Sequence, residues 1–216
     1  MQINSYPFTL KNEELLLLPE KAIWFPSYKV LLVSDVHLGK GAHFRKSGIP
    51  IPQDLSQEDL ANLSDLITHY KPIKIIFLGD LFHSDINDDW NWFSLWRQLH
   101  QEIEIILIKG NHDIIDAALY LHLGILVVDE LLLGPFLLLH NLPRQKRQEY
   151  VLAGHIHPGI KLRGKGRQSL TVACFYFTPG YAILPAFGKF TGKACIEAKA
   201  GDSVFAIAGK KVLKFS

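Results

Sequence analysis

Cysteine is nearly absent from this 216-residue chain. Cys174 and Cys195 are the only two, both lie among apolar or small residues, and no Cys-x-x-Cys occurs. That argues against a disulfide scaffold, leaves both thiols expected as buried bystanders, and points to the reducing cytoplasm. An unbroken apolar run long enough for a membrane is missing too. The longest candidate, from Ile125 to Leu139, is interrupted by Asp129, Glu130, Gly134 and Pro135. The opening residues, Met1 to Pro7, lack the basic segment and apolar core of a signal peptide. Neither sign of charge dominates: 23 Lys and Arg face 21 Asp and Glu, for a net charge of +2. Any affinity for nucleic acid must therefore come from local patches. No internal repeat or low-complexity linker divides the chain, so the expectation is one soluble domain over residues 1–216. A composition 48% hydrophobic and 20% charged suits such a domain.

What is present is a series of apolar runs ending in polar, Gly-marked loops. Short strands are expected at 15–18, 22–25 and 30–34, a Gly- and Pro-rich loop at 40–53, and a helix at 56–70 closed by Pro72. A strand at 73–78, an aromatic-rich helix at 88–101, a strand at 103–108 and a helix from Ile114 to Leu121 follow. This β-α-β-α-β-α order predicts parallel strands with right-handed crossovers. Beyond it, runs at 125–128, 136–140, 150–153, 170–173, 182–184, 194–197, 203–207 and 212–215 have short connections, which predicts an antiparallel second half. The sum is two sheets packed face to face with helices outside.

Five segments carry the chemistry: Asp35-Val36-His37, Gly79-Asp80, Gly110-Asn111-His112-Asp113, His140, and Gly154-His155-Ile156-His157. Each follows an apolar run, and loops after buried strands are where α/β proteins place their sites. Asp35 and His37 are two apart, so both can turn toward one ion. Asp80 can bridge two ions, one oxygen to each. Asn111 offers an amide oxygen, and His140, His155 and His157 offer imidazole nitrogens. This thiolate-free set suits two divalent ions such as Mn²⁺, Fe²⁺ or Zn²⁺, with Mg²⁺ also open, better than Ca²⁺ or a Cys-rich structural zinc. Two such ions about 3.5–4 Å apart would hold a bridging hydroxide and clamp a phosphate. His112 can lie beside them and donate a proton to the leaving oxygen. Taken singly, Asp-x-His or Gly-Asp is ordinary turn chemistry; the ordered set is not.

That set resembles the calcineurin-like metallophosphoesterases, whose pattern of Asp-x-His, Gly-Asp-x-x-Asp, Gly-Asn-His-Asp/Glu, His and Gly-His-x-His spans residues 35–157 here. The resemblance implies an α/β fold, a four-layer α/β/β/α sandwich of two packed mixed sheets. It implies one ion on Asp35, His37, Asp80 and His157 and another on Asp80, Asn111, His140 and His155, with His112 as general acid. A narrower resemblance, to the bacterial DNA-ligase-associated phosphoesterases, comes from His37-Leu38-Gly39-Lys40 with His43-Phe44-Arg45 and Gly48 to Pro52, from Gly79 to Ser84, and from Leu184 to Gly192. It implies a phosphodiesterase or nuclease on nucleotide or nucleic-acid phosphodiesters, including 2′,3′-cyclic nucleotides. It also implies Mn²⁺ and a functional link in DNA repair to an ATP-dependent ligase and a helicase. One departure stands out: the last Asp of Gly-Asp-x-x-Asp, which orients the catalytic His, is His83 here. Either His83 has another supporting or substrate role, or something else, Asp113 for instance, holds His112.

His43 and Arg45 can face a phosphate or be plain loop residues. Two basic stretches, Arg144 to Arg147 and Lys161, Arg163, Lys165 and Arg167, flank the His155 loop and offer a track for a nucleic-acid backbone or an ordinary solvated face. Trp90, Trp92, Phe93 and Trp96 have the spacing of a helix face, which favours core packing or a homodimer interface over base stacking. The rival readings are a phosphomonoesterase and a non-catalytic scaffold. The first wants a strongly cationic pocket, and the second has no need for eight candidate site residues.

Overall fold

The computed structural model describes residues 5–41, 55–164 and 168–216. Strands β1 (Tyr6–Leu10), β2 (Glu13–Leu17), β3 (Ala22–Phe25) and β4 (Val30–Val33) form an antiparallel meander. Strands β5 (Lys74–Phe77), β6 (Glu104–Ile108) and β7 (Ile125–Val128) then join it parallel to β4, completing a seven-stranded sheet. The parallel crossovers carry α1 (Leu55–Tyr70), α2 (Asp88–Leu99) and α3 (Ala117–His122), as the sequence order predicts. Asn87 caps α2 by accepting from the Asp89 N–H at 2.9 Å, and Asp88 and Asp89 complement the positive helix end.

The apolar strands are continuous because both of their faces are buried. Ile75, Phe77, Ile105 and Leu107 face outward onto Leu63 and Leu66 of α1, Phe93 and Trp96 of α2, and Tyr120 of α3. Ile76, Ile106 and Ile108 point the other way, into the second sheet. Trp92 alone of the aromatic α2 set is exposed, so packing, not base stacking, occupies Phe93, Trp96 and Trp90, the last against Phe82 at 5.3 Å. No described helix is long and apolar enough to cross a membrane.

The second sheet has nine strands: β8 (Leu131–Leu133), β9 (Phe136–Leu139), β10 (Tyr150–Ala153), β11 (Pro158–Arg163), β12 (Ser169–Phe177), β13 (Tyr181–Ile183), β14 (Ala194–Cys195), β15 (Ser203–Ala208) and β16 (Lys211–Lys214). Here the expected antiparallel half needs correcting. β9, β10 and β13 are mutually parallel, so this sheet is mixed like the first. Parallel neighbours ordinarily need a crossover of a dozen or more residues with a helix in it. The β9–β10 crossover, residues 140–149, is shorter and contains none, which made it look like a hairpin loop. Three strands went unexpected: β1 holds a proline, β8 merges with the apolar run around it, and β11 opens on Pro158-Gly159. Cys195 is exposed rather than buried, whereas Cys174 is buried.

Two packed mixed sheets and the helical layer on the first match the expected sandwich. On the outer face of the second sheet, among the described residues, loop side chains stand where the fourth, helical layer was expected. Leu142 and Ile156 from loops, beside Tyr181 of β13, close over Cys174, Tyr176, Ile183 and Val151. Between the sheets, Phe136 is fully buried against Phe25 (ring centroids 5.7 Å) and Tyr150 (6.2 Å). Phe136→Ala should cost about 3–5 kcal/mol of unfolding free energy in urea titrations. Leu132→Ala, at a 61% exposed side chain, should stay within about 0.5 kcal/mol of wild type.

Candidate metal centre

Every candidate ligand lies just past the C-terminal end of a strand. β4 leads to Asp35 and His37, β5 to Asp80, β6 to Asn111 and His112, β9 to His140, and β10 to His155 and His157. Because β4, β5 and β6 are parallel neighbours, as are β9 and β10, these ends share one edge of the sandwich. Backbone bonds continue the ladder past β4 and β5: Asp35 N–H to Gly79 O at 3.2 Å, His37 N–H to Asp80 O at 2.9 Å, Leu38 N–H to Leu81 O at 2.9 Å. Asp35, His37, Asp80, His155 and His157 all have φ between +51° and +67°, a left-handed backbone that costs non-glycine residues about 1–3 kcal/mol each and clusters at functional sites. Two glycines permit the close approach. A side chain at Gly79 would strike the His140 ring, and one at Gly110 would strike Asp80.

The side chains form two groups. Asp35, His37 and His157 can present one ligand atom each within 4.8 Å of one another, and so can Asp80, His140 and His155. In the first, His157 Nε2 is 3.2 Å from Asp35 Oδ1 and 3.4 Å from His37 Nε2. In the second, His140 Nε2 is 3.5 Å from Asp80 Oδ1. Ions bonded at roughly 2.0–2.2 Å hold their donor atoms about 3.0–3.5 Å apart, so these spacings fit coordination edges. Asp80 joins the groups, since its Oδ2 is 3.8 Å from His37 Nε2. His140 donates its Nδ1–H to Leu78 O, 2.8 Å away, so that nitrogen carries the proton and Nε2 presents a lone pair. That Nε2 is buried and unpartnered among the described residues, as a ligand awaiting a cation would be.

Electrostatics point the same way. Burial pushes the Asp35 carboxyl up, but His157 and the Ser34 hydroxyl outweigh it and hold Asp35 below its usual range. The His155 N–H adds a bond to Asp35 Oδ2 at 2.9 Å. Burial drives His37 down to about 3, against the opposing pull of Asp35, so its ring is neutral and able to ligate at neutral pH. Lys40, whose part the sequence did not reveal, is half-buried; burial holds its ammonium below the usual range against the smaller opposing pull of Asp80 and Asp35, so this amine lies near both carboxylates.

The structure separates the two possibilities left open for His112. The Asp113 carboxylate accepts four backbone N–H groups, from Asp80 (2.7 Å), Gly110 (2.8 Å), Leu81 (3.0 Å) and Phe82 (3.3 Å). It thus shapes the Asp80 loop. His83 instead stacks on His112, with ring centroids 4.7 Å apart and planes 25° from parallel. His112 is exposed, its own N–H tied to Asp80 Oδ1 at 2.8 Å. Asn111 is exposed beside it and accepts from Asn141 Nδ2 at 2.6 Å through its amide oxygen, which leaves a second lone pair. Asn141 and Ser34 belong to no motif, and only their contacts reveal them. His43 and Arg45 lie outside the described residues. Arg144, Lys146, Lys161 and Arg163 are exposed, and Arg147 pairs with Glu130 at 2.7 Å. A cavity of about 570 Å³ lined by Lys11, Tyr150 and Tyr181 sits at the opposite end of β10 from His155, so it is not part of this centre.

The sequence model of the calcineurin-like phosphoesterases matches residues 28–148, a span that holds four of the five segments. Among solved structures, the chain is similar to the nuclease MPE of Pseudomonas putida, with 32% identity, 98% of this chain and 100% of that chain covered, and a TM-score of 0.84. It is also similar to Yfce, a phosphoesterase from E. coli, at 14% identity over 85% of this chain and 96% of that one, with a TM-score of 0.43. No curated protein matches. From the four amides gathered on Asp113, Asp113→Ala should lower unfolding free energy by about 3 kcal/mol or more, as measured in urea on metal-free protein. Asp113→Asn, which keeps one acceptor, should fall between.

Proposed function

Since the chain belongs to the calcineurin-like phosphoesterase family, we propose that it hydrolyses phosphodiesters of nucleotides or nucleic acids, using two divalent ions, Mn²⁺ foremost. The observation that carries this reading is Asp80, one oxygen turned toward His140 and the other toward His37. A carboxylate between two sets of imidazoles is what a pair of ions requires. Support for a diester comes from the Pseudomonas putida relative, itself a nuclease, and from the exposed Arg144, Lys146, Lys161 and Arg163. The repair setting, with an ATP-dependent ligase and a helicase as partners, rests on the resemblance at 37–52, 79–84 and 184–192.

In this reading Asp35, His37 and His157 would hold one ion and His140, His155 and Asn111 the other, with Asp80 available to both. Ions bound there would supply Lewis-acid charge to the phosphate oxygens and lower the pKa of water, so that hydroxide is available as the nucleophile at neutral pH. The protein's part is orientation. Asp113 sets the Asp80 backbone, the Leu78 carbonyl fixes the His140 tautomer, and Ser34 with the His155 N–H aims Asp35. His112, exposed at the rim and braced by the His83 ring, is placed to protonate the leaving oxygen, while Lys40 adds positive charge against the phosphate.

Hydrolysis of an aryl phosphodiester and its monoester, with Mn²⁺, tests the reading. The wild type should turn over the diester well above the monoester. Asp80→Asn should lose metal and activity together. His112→Ala should keep its metal content while turnover falls by about 10²–10⁴-fold. Preferential monoester turnover would make the protein a phosphatase, and metal loss in His112→Ala would remove His112 from the acid role.

A further inference from the structure

Lys21 lies outside every motif, yet its side chain reaches the support of the first ligand loop. It closes the turn between β2 and β3, where Lys21 N–H bonds to Leu18 O at 2.9 Å and Leu18 N–H to Ala22 O at 2.9 Å. Its φ is +66°, a conformation glycine or asparagine takes at less cost. From there the ammonium donates to the carbonyls of Phe187 (3.2 Å) and Gly188 (3.4 Å). Those same residues bond in the other direction through their N–H groups, Phe187 to Ser34 O at 2.8 Å and Gly188 to Asp35 O at 3.2 Å. Residues 187–188 therefore link the Lys21 ammonium to the backbone of the Asp35 loop. The approach is close enough that a side chain at Gly188 would strike the Val36 carbonyl.

The next residue is tied down as well: Lys189 N–H bonds to Asp59 Oδ2 at 3.3 Å, and the Thr191 hydroxyl bonds to Gly188 O at 2.9 Å. Burial lowers Lys21 and raises Asp59 to about 7, while each favours the charged form of the other. Drawing an ammonium out of water onto two carbonyls, from a strained turn, is costly. We propose that Lys21 is a positioning residue of the metal centre: by clamping residues 187–188 it fixes the Ser34–Val36 backbone that aims Asp35 and His37. This rests on the metal-centre reading above. The effect should be selective, because His140 and His155, which serve only the other ion, hang from loops that Lys21 does not touch.

Calorimetric titration of Mn²⁺ into metal-stripped protein, alongside thermal unfolding, is the test. The wild type should take up two ions. Lys21→Met should bind one with unchanged affinity and the other 10- to 100-fold more weakly, the usual effect of removing a partner behind a ligand. In a His140→Ala background, where the other site is crippled, Lys21→Met should weaken the remaining ion by the same factor. Lys21→Arg, which keeps the charge and its donors, should stay within about 3-fold of wild type. Lower thermal stability with both affinities unchanged, or equal weakening of both ions, would overturn the positioning role. If the wild type takes up no Mn²⁺, the metal-centre reading itself fails and this inference with it. Should Lys21→Met not fold, Lys21→Gln is read by the same criteria.

Discussion

Two carboxylates, Asp35 and Asp80, are withdrawn from water at a seam where two sheets meet, and the rest of the structure is arranged around that cost. Asp35 is fully buried and Asp80 nearly so, and an unpaired buried charge is among the most destabilising features a fold can carry. The protein offsets part of it with its own dipoles. Ser34 and the His155 N–H serve Asp35, and the His112 N–H serves Asp80. His157 also serves Asp35, but two other imidazoles cannot finish the task, since burial keeps His37 neutral and His140 has already committed its Nδ1 proton to a carbonyl. What remains is negative charge facing nitrogen lone pairs. Divalent cations satisfy both at once.

That arrangement explains the backbone. Five residues of the site lie in the left-handed region, and each would relax if the chain around it were free. The relaxation is resisted from three sides. The first sheet extends its ladder through residues 35–38 and 79–83, Asp113 gathers the amides of the Asp80 loop, and the second sheet brings Gly154 and His155 down onto Asp35. Packing of Phe136, Phe25 and Tyr150 between the sheets thus bears on the site through geometry, because it sets how closely the two sets of strand ends approach.

The sites were more legible in the sequence than the topology was. Asp35, His37, Asp80, His140, His155 and His157 stand at the ends of short, strongly apolar runs. Such local signals survive without knowledge of the fold, and the structure brings these six side chains into the two groups. Strand direction in the second half depended instead on the path of residues 140–149, which cross over without a helix to announce it. Asp113, Asn141 and Ser34 were illegible for a different reason. Asp113 sits inside a motif, but three of the four backbone amides it holds lie more than 30 positions earlier in the chain, and no residue type in the sequence advertises a backbone partner. His83 shows the converse: its departure from the family pattern was plain, while its place, face to face with His112, emerged only in three dimensions.

The same logic separates what the site tolerates from what it does not. His112, Asn111 and His155 are exposed, so their substitution perturbs water-facing groups and should act on chemistry or binding more than on folding. Asp35, Asp80, His140 and Asp113 are buried, and each is hydrogen-bonded to atoms distant in sequence. Removing one of these changes the electrostatic balance of the seam and the shape of the loops together. Neutralising Asp80, unlike Asp113, can even stabilise the metal-free fold while abolishing the function, because buried negative charge is removed along with the ligand. A site built this way sets the stability of the fold against affinity for the ions it would bind, and the two-sheet core holds the strand ends that carry that cost.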